Sequence, residues 1–137
     1  MKIWNQSLKD RSTAIDDFLS SEDIVLDQEL FLYDIEASIA HAHELENINI
    51  LTKSETKKVI VSLKKLAKLF LAKKFKLTSK YEDCHTAIED YLTRELGSVG
   101  QKIHTGRSRN DQVMVAMRLY ARAKLDEIQS MNIKIAQ

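Results

Sequence analysis

Residues 52–70, TKSETKKVIVSLKKLAKLF, form the clearest pattern in this sequence of 137 residues. Thr52 and Glu55 have the spacing of a capping box, in which each side chain satisfies a backbone N–H group at the start of a helix. Apolar residues then recur every three or four positions, at Val59, Leu63, Leu66 and Phe70, with Ile60 and Ala67 beside them. Five lysines lie largely on the opposite face. The segment predicts an amphipathic helix that ends around residues 73–75.

The composition extends this prediction to the whole chain. There is no proline and there are only three glycines, Gly97, Gly100 and Gly106. Proline interrupts helices, so its absence permits long ones. An all-β architecture needs many turn residues, which this sequence lacks. The sequence therefore predicts an all-α fold.

Three further helices are expected. The first begins near Asp27, a plausible N-cap, after an irregular arm over residues 1–26 with one short helical turn around 14–19. Its apolar stripe is Phe31, Ile35, Ile39, Ala42 and Leu45. Another helix covers about 82–96, with Cys84, Ile88, Tyr91 and Leu92 buried, and is stopped by Gly97 and Gly100. The last runs from Ser108 or Asp111 to the end, and would expose apolar residues around Val113, Met117 and Ile128 if nothing covers it.

Cellular context is indicated by what the sequence lacks. The single cysteine, Cys84, excludes an internal disulfide and a Cys-rich zinc site. The first residues contain no apolar signal-peptide core, and no apolar run approaches the length of a membrane span. We therefore expect a cytoplasmic protein without a membrane partner.

The charge is unevenly distributed, although the net charge is only +1. Residues 1–55 carry −8, and residues 56–80 carry nine lysines and no acid. Such a basic helix could dock nucleic acid or an acidic partner, which makes a small helical binding module the alternative function. The two aromatic residues there, Phe70 and Phe75, suit the core, so we expect a solvated face and no nucleic acid.

The loop before the last helix concentrates polar side chains. It reads HTGRSRNDQ over residues 104–112, and Ser108 and Asp111 have N-cap spacing. A helix N-terminus offers free N–H groups and partial positive charge, which favour anions. Arg107 and Arg109 add forked donors for carboxylates or phosphates. A well-capped loop with solvated arginines explains the same residues about equally well.

Other polar residues favour simpler interpretations. His41 and His43 are two positions apart, so on a helix they point in different directions and cannot chelate one metal together. We expect both on a solvated or interface face. The acidic residues of the third helix, Glu82, Asp83, Glu89 and Asp90, are expected to form a solvated face.

The string HTGRSRNDQV, residues 104–113, resembles a signature of the argininosuccinate lyases, members of the fumarase/aspartase superfamily. Upstream blocks are similar to the family in the same order: EDCHTA at 82–87, LTK at 51–53 and DIEAS at 34–38. The resemblance implies the N-terminal helical domain of this fold over residues 1–107 and the start of a long central-bundle helix over 108–137. It also implies a homotetramer and no cofactor or metal.

The resemblance implies roles residue by residue. The loop matching Ser108, Arg109 and Asn110 binds argininosuccinate in the family, and a serine near the N-terminus does so too. Here Ser20 and Ser21 both lie in the matching neighbourhood, and Ser21 is favoured. His85, Thr105 and Arg107 are expected neighbours of the site.

Two departures from the family pattern matter. Near the N-terminus, two glycines and an arginine of the family are replaced in Trp4-Asn5-Gln6-Ser7-Leu8. The segments that carry the family's catalytic histidine and serine do not occur in this sequence. We therefore assign no catalytic residue here, and expect these residues alone to be inactive in the elimination that yields arginine and fumarate.

Overall fold

The structure, a computed structural model, describes the backbone of residues 13–78 and 80–137, and side chains from Ile24 onward except at positions 25 and 79. All regular structure in these ranges is helical, which confirms the all-α prediction. The helices are α1 (Thr13–Asn47), α2 (Lys53–Leu71), α3 (Cys84–Leu96), α4 (Ser98–Gln101) and α5 (Arg109–Ala136), with a 3-10 turn at Lys102–His104.

Helix α1 begins 14 residues before the expected start, so the prediction of an N-cap at Asp27 is wrong. No proline or glycine interrupts residues 13–47, and a helix can therefore continue through them. The Asp27 carboxylate instead accepts a hydrogen bond from the Cys84 backbone N–H, 2.8 Å away, and so joins α1 to the start of α3. Residues 1–12, including the expected early arm around Trp4, lie outside the described residues.

Helix α2 confirms the opening prediction. The Thr52 hydroxyl accepts from the Glu55 N–H at 3.3 Å, and the Glu55 carboxylate accepts from the Thr52 N–H at 2.8 Å. The expected buried face contains Val59, Leu63 and Leu66, which are fully enclosed. The helix ends at Leu71, slightly earlier than expected.

The core lies where α1, α2 and α3 meet. Its largest enclosed side chains include Phe31 and Leu45 from α1, Leu63 and Leu66 from α2, and Ile88 and Leu92 from α3. The Phe31 ring lies 4.3 Å from the Phe70 ring and 5.6 Å from the Phe75 ring, measured between centroids. The three predicted apolar stripes thus face one another.

Two glycines shape the connection that follows α3. Gly97 ends the helix with φ +59°, a conformation that side chains disfavour. Gly100 was expected to help stop this helix. It lies instead inside the short helix α4. A Cβ atom at Gly100 would overlap the backbone of Leu92, so glycine is required there for close approach of α4 to α3.

Helix α5 packs against α1, and Tyr120 meets Tyr33 edge-to-face at 5.8 Å. Gln112 and Ala116 are its buried residues. Its opposite face exposes an apolar stripe, which consists of Met114, Met117, Leu125, Ile128 and Ile135. This confirms the expected exposure of Met117 and Ile128, whereas Val113 is half-buried. No helix in the described ranges combines the length and apolarity that crossing a membrane requires.

Candidate functional site

The segment His104–Asn110, which we call the docking loop, runs from the last residue of the 3-10 turn into the first turn of α5. Gly106 has φ +75°, which lets the chain turn from the 3-10 segment toward the helix. No atom would contact a Cβ at Gly106 within 4 Å, so the requirement there is for backbone conformation and not for space.

Helix α1 holds the middle of the docking loop through two contacts. The Arg107 Nη2 atom donates to the buried hydroxyl of Ser38 at 3.0 Å. The His41 Nε2–H group donates to the carbonyl oxygen of Thr105 at 2.9 Å. Burial lowers the pKa of His41, and the nearby Arg107 charge lowers it further, so both favour the neutral ring. His41 is therefore a half-buried contact between α1 and the loop, whereas His43 is exposed.

The first turn of α5 is closed by a second capping box, as the spacing predicted. The Ser108 hydroxyl accepts from the Asp111 N–H at 3.3 Å, and the Asp111 carboxylate accepts from the Ser108 N–H at 2.7 Å. These hydrogen bonds lower the pKa of Asp111. The other N–H groups at the start of α5 have no preceding helical turn to donate to, and they point out of the N-terminal end of the helix.

Arg109 is held by side chains of the chain itself. Its Nη1 atom donates to Glu89 at 3.1 Å and to the side-chain Oε1 atom of Gln112 at 2.7 Å, and its Nη2 atom donates to the Thr86 hydroxyl at 3.2 Å. The Nε atom forms an ion pair with Asp83 at 3.2 Å. Most of the five guanidinium N–H groups are therefore engaged within the chain.

Four side chains of the docking loop are open to solvent, namely His104, Thr105, Ser108 and Asn110. Among the described residues, the Asn110 amide makes no hydrogen bond. It stands beside the N-terminus of α5, where free N–H groups and the helix dipole favour an anion. Asn110 thus combines an exposed, unpaired amide with a position at this helix start.

His85 lies on α3 and is almost completely buried. Its Nδ1 atom donates to the Asp34 carboxylate at 2.7 Å, so it anchors α3 to α1. Asp34 is also close enough to Arg107 for their charges to interact. Sequence reasoning missed Asp34 and Ser38, although two polar residues one turn apart on an apolar stripe were a usable signal.

Asp34, Cys84 and His85 form the one group in the described ranges that could supply three ligand atoms to a metal ion, all within 4.8 Å of one another. Burial raises the pKa of the Cys84 thiol far above its ordinary value, which disfavours the thiolate that binds metals. Of the other two residues, His85 already uses its Nδ1 atom to donate to one Asp34 oxygen. A buried hydrogen bond between His85 and Asp34, next to the small side chain of Cys84, accounts for this group of residues.

The four acidic residues around the N-cap and along α3 that were expected to form a solvated face are all half-buried, namely Glu82, Asp83, Glu89 and Asp90. Asp83 caps α3 by accepting from the Thr86 N–H at 2.6 Å, besides its ion pair with Arg109. Glu89 contacts both Arg109 and Gln112. The prediction is wrong because the docking loop returns to α3 and covers these carboxylates, a tertiary contact that local spacing does not reveal.

Two other sequence predictions concern surfaces away from the loop. Ser20 and Ser21 lie on α1, but their side chains are outside the described residues. The lysines of α2 at positions 57, 58, 64, 65 and 68 are exposed, and Lys65 pairs with Glu95 at 2.8 Å. The solvated basic face is confirmed.

Comparison with known proteins gives the family. Residues 11–137 match the sequence model of a family described as lyase. The chain is 45% identical over 135 residues to an argininosuccinate lyase of Xanthomonas axonopodis pv. citri, and 44% identical to one of Stenotrophomonas maltophilia. Its identity to one of Xylella fastidiosa is 43% over 134 residues.

These similarities cover 98% of this chain but only 30–31% of each relative, so the chain spans about a third of the length of the curated relatives it matches. The family match includes every helix described above, as well as the docking loop. With its all-α structure and this match, the chain belongs to the lyase family, which has the fumarase/aspartase fold.

Proposed function

We propose that this chain supplies one substrate-docking segment of an argininosuccinate lyase, which splits argininosuccinate into arginine and fumarate. The observation that carries the proposal is the identity of about 45% to proteins of that name, over 98% of the chain. The docking loop provides the physical support, because it presents free N–H groups and an unpaired amide on a rigid helix start.

The substrate contacts are assigned to Ser108, Arg109 and Asn110, together with Ser21. Argininosuccinate carries carboxylates, and the N-terminus of α5 favours negative charge. Elimination removes a proton beside a carboxylate, and donors around that carboxylate stabilise the charge that develops. Arg109 contributes positive charge and any N–H group that its internal partners leave free. Thr105, Arg107 and His85 are neighbours that support the loop.

No general acid or base is assigned to these residues, and no metal or cofactor. Proton transfer by positioned groups contributes about 10²–10⁴-fold to such reactions. We therefore expect the 137-residue chain by itself to show no cleavage of argininosuccinate, and activity to require the intact gene product. Detection of turnover by the purified chain would contradict this assignment.

The exposed stripe on α5 supports assembly into a homotetramer. Leu125 is 65% exposed and Ile128 49% exposed, and both lie on the face opposite α1. An apolar stripe along a helix favours packing against other helices. The domain boundary between residues 107 and 108 is likewise proposed, since it coincides with the N-cap of α5. A cytoplasmic location suits the buried, free thiol of Cys84.

The test is argininosuccinate cleavage by the intact gene product, followed through fumarate formation. Asn110→Ala removes the open amide, and we expect KM to rise about tenfold, the effect of one lost hydrogen bond. Asn47→Ala, a matched change at an exposed site at the end of α1, should leave KM unchanged. If the unmodified protein does not cleave argininosuccinate, the proposal is wrong.

The lysine face of α2 supports a second candidate, a module that docks nucleic acid or an acidic partner. In the described ranges, Lys65 is the one lysine of this face that has a carboxylate partner. The other exposed lysines of the face carry positive charge that is unpaired within these ranges. Binding to random RNA that weakens steeply with salt would favour it. Absence of binding at low salt would exclude nucleic acid.

A further inference from the structure

Glu89 stands at a junction that the substrate assignments above do not use. It lies on α3, and its side chain is 23% exposed. One carboxylate oxygen, Oε1, accepts from Arg109 Nη1 at 3.1 Å and from Gln112 Nε2 at 3.2 Å. The same oxygen lies 3.2 Å from His104 Nδ1.

These three partners lie at the two ends of the docking loop. His104 is the last residue of the 3-10 turn that enters it, and Arg109 and Gln112 belong to the first turn of α5, which leaves it. A single oxygen on α3 therefore joins both ends. Gln112 also accepts from Arg109 at 2.7 Å. The side chains of Glu89, Arg109 and Gln112 therefore form a closed ring of contacts.

Glu89 does more than neutralise Arg109. Asp83 already provides an ion-pair partner for the guanidinium, at the Nε atom. Asp83 does not contact His104, so the connection across the loop belongs to Glu89. The middle of the loop is fastened separately to α1, by Ser38 and His41. Glu89 thus fixes the loop ends against α3.

We propose that Glu89 is a positioning residue, which holds Ser108 and Asn110 in their binding geometry by joining His104 to the first turn of α5. Glu89 does not itself touch the substrate. The inference rests on the proposed function, because it names the side chain that sets the geometry of that same site.

The first experiment measures kcat and KM for argininosuccinate in the intact gene product. Glu89→Ala removes the junction, and Glu89→Gln keeps an acceptor oxygen without the charge. Hydrogen bonds to charged groups are strong, so we expect KM to rise roughly 10- to 100-fold in Glu89→Ala, and less in Glu89→Gln, with a smaller change in kcat. Glu95→Ala removes a carboxylate of the same helix, which pairs with Lys65 away from the loop, and should leave KM unchanged.

The second experiment does not depend on activity. Trypsin cleaves after arginine, and Arg107 and Arg109 lie in the docking loop. We expect cleavage there to accelerate about tenfold or more in Glu89→Ala relative to the unmodified protein and to Glu95→Ala, because loss of the junction frees the loop ends.

The outcomes separate the two proposals. If the unmodified protein cleaves argininosuccinate, an unchanged KM in Glu89→Ala, or the same rise in Glu95→Ala, overturns the role of Glu89. If the unmodified protein is inactive, the proposed function fails and the trypsin result decides alone whether Glu89 positions the loop. An unchanged cleavage rate overturns the inference in either case.

Discussion

Arg107 donates a hydrogen bond to the hydroxyl of Ser38, 3.0 Å away and 69 positions earlier in the chain. This contact fastens the docking loop to a residue of α1 that is completely buried. Burial lowers the pKa of Arg107, but the guanidinium remains charged at neutral pH and is balanced by nearby Asp34. The position of the loop is therefore set from inside the molecule.

Ser38→Ala should destabilise the chain, because it leaves a largely enclosed guanidinium donor without its acceptor. We expect the free energy of unfolding to fall by about 1–3 kcal/mol. Urea unfolding followed by circular dichroism measures the change. Ser54→Ala, at an exposed position in the first turn of α2, is the matched control and should have little effect. Equal stability of the two variants would show that the Ser38 contact is unimportant.

Thr52→Ala should weaken the start of α2. The hydroxyl satisfies the Glu55 N–H group, and loss of an N-cap of this kind costs about 1 kcal/mol. The melting temperature of the variant reports the loss. Thr52→Ser keeps the hydroxyl and should retain most of the stability. If the serine variant melts as early as the alanine variant, the effect is not due to capping.

Stability should decrease in acid through Glu55. Its hydrogen bonds with Lys102 and with Thr52 lower the pKa of this carboxyl from 4.5 to about 2 in the folded chain. A group with a depressed folded pKa stabilises the fold above its unfolded pKa. That contribution is lost as the pH falls from about 4.5 to about 2. Melting temperatures measured across this range should therefore decrease less steeply in Glu55→Gln than in the unmodified chain.

The two glycines Gly100 and Gly106 should respond differently to alanine. At Gly100 the added Cβ overlaps the backbone of Leu92, so α4 must move away from α3. At Gly106 the space is open and only the positive φ is disfavoured, at about 1–2 kcal/mol. We expect Gly100→Ala to lower the free energy of unfolding by more than Gly106→Ala does. The reverse order in urea unfolding would contradict this account.

Self-association should depend on the α5 stripe. Ile128→Glu places a charge in its centre, and sedimentation velocity of the intact gene product should then show smaller assemblies. Gln129→Glu adds the same charge one position later, beside the stripe, and should leave the assembly size unchanged. If both variants assemble like the unmodified protein, the stripe is not the contact surface.

The sequence predicted what depends on local pattern. Residue spacing within a single helix predicted the helix caps at Thr52 and Ser108. The same kind of spacing predicted the buried apolar face of Val59, Leu63 and Leu66. The start of α1 was missed because Asp27, which resembles an N-cap, uses its carboxylate for a distant N–H group.

The polar contacts of the site were missed for the same reason. Besides the nearby Gln112, the partners of Arg109 lie in α3 or at its N-cap, 20 or more positions earlier. Glu89 is therefore indistinguishable from a solvated carboxylate until the loop is placed against it. The family resemblance identified the loop, but only the packed helices show which of its side chains remain open.

The length of α5 gives the docking loop a mechanical connection to distant surfaces. Its 28 residues span about 42 Å as a straight helix. The loop lies at the N-terminal end of this helix. If α5 tilts by about 5° at that end, its C-terminal end moves by roughly 4 Å. Conversely, a neighbouring molecule that packs against the C-terminal end of α5 restricts the orientation of the helix, and with it the orientation of Asn110 at the N-terminal end. The helix thus couples the position of the loop to contacts at its far end.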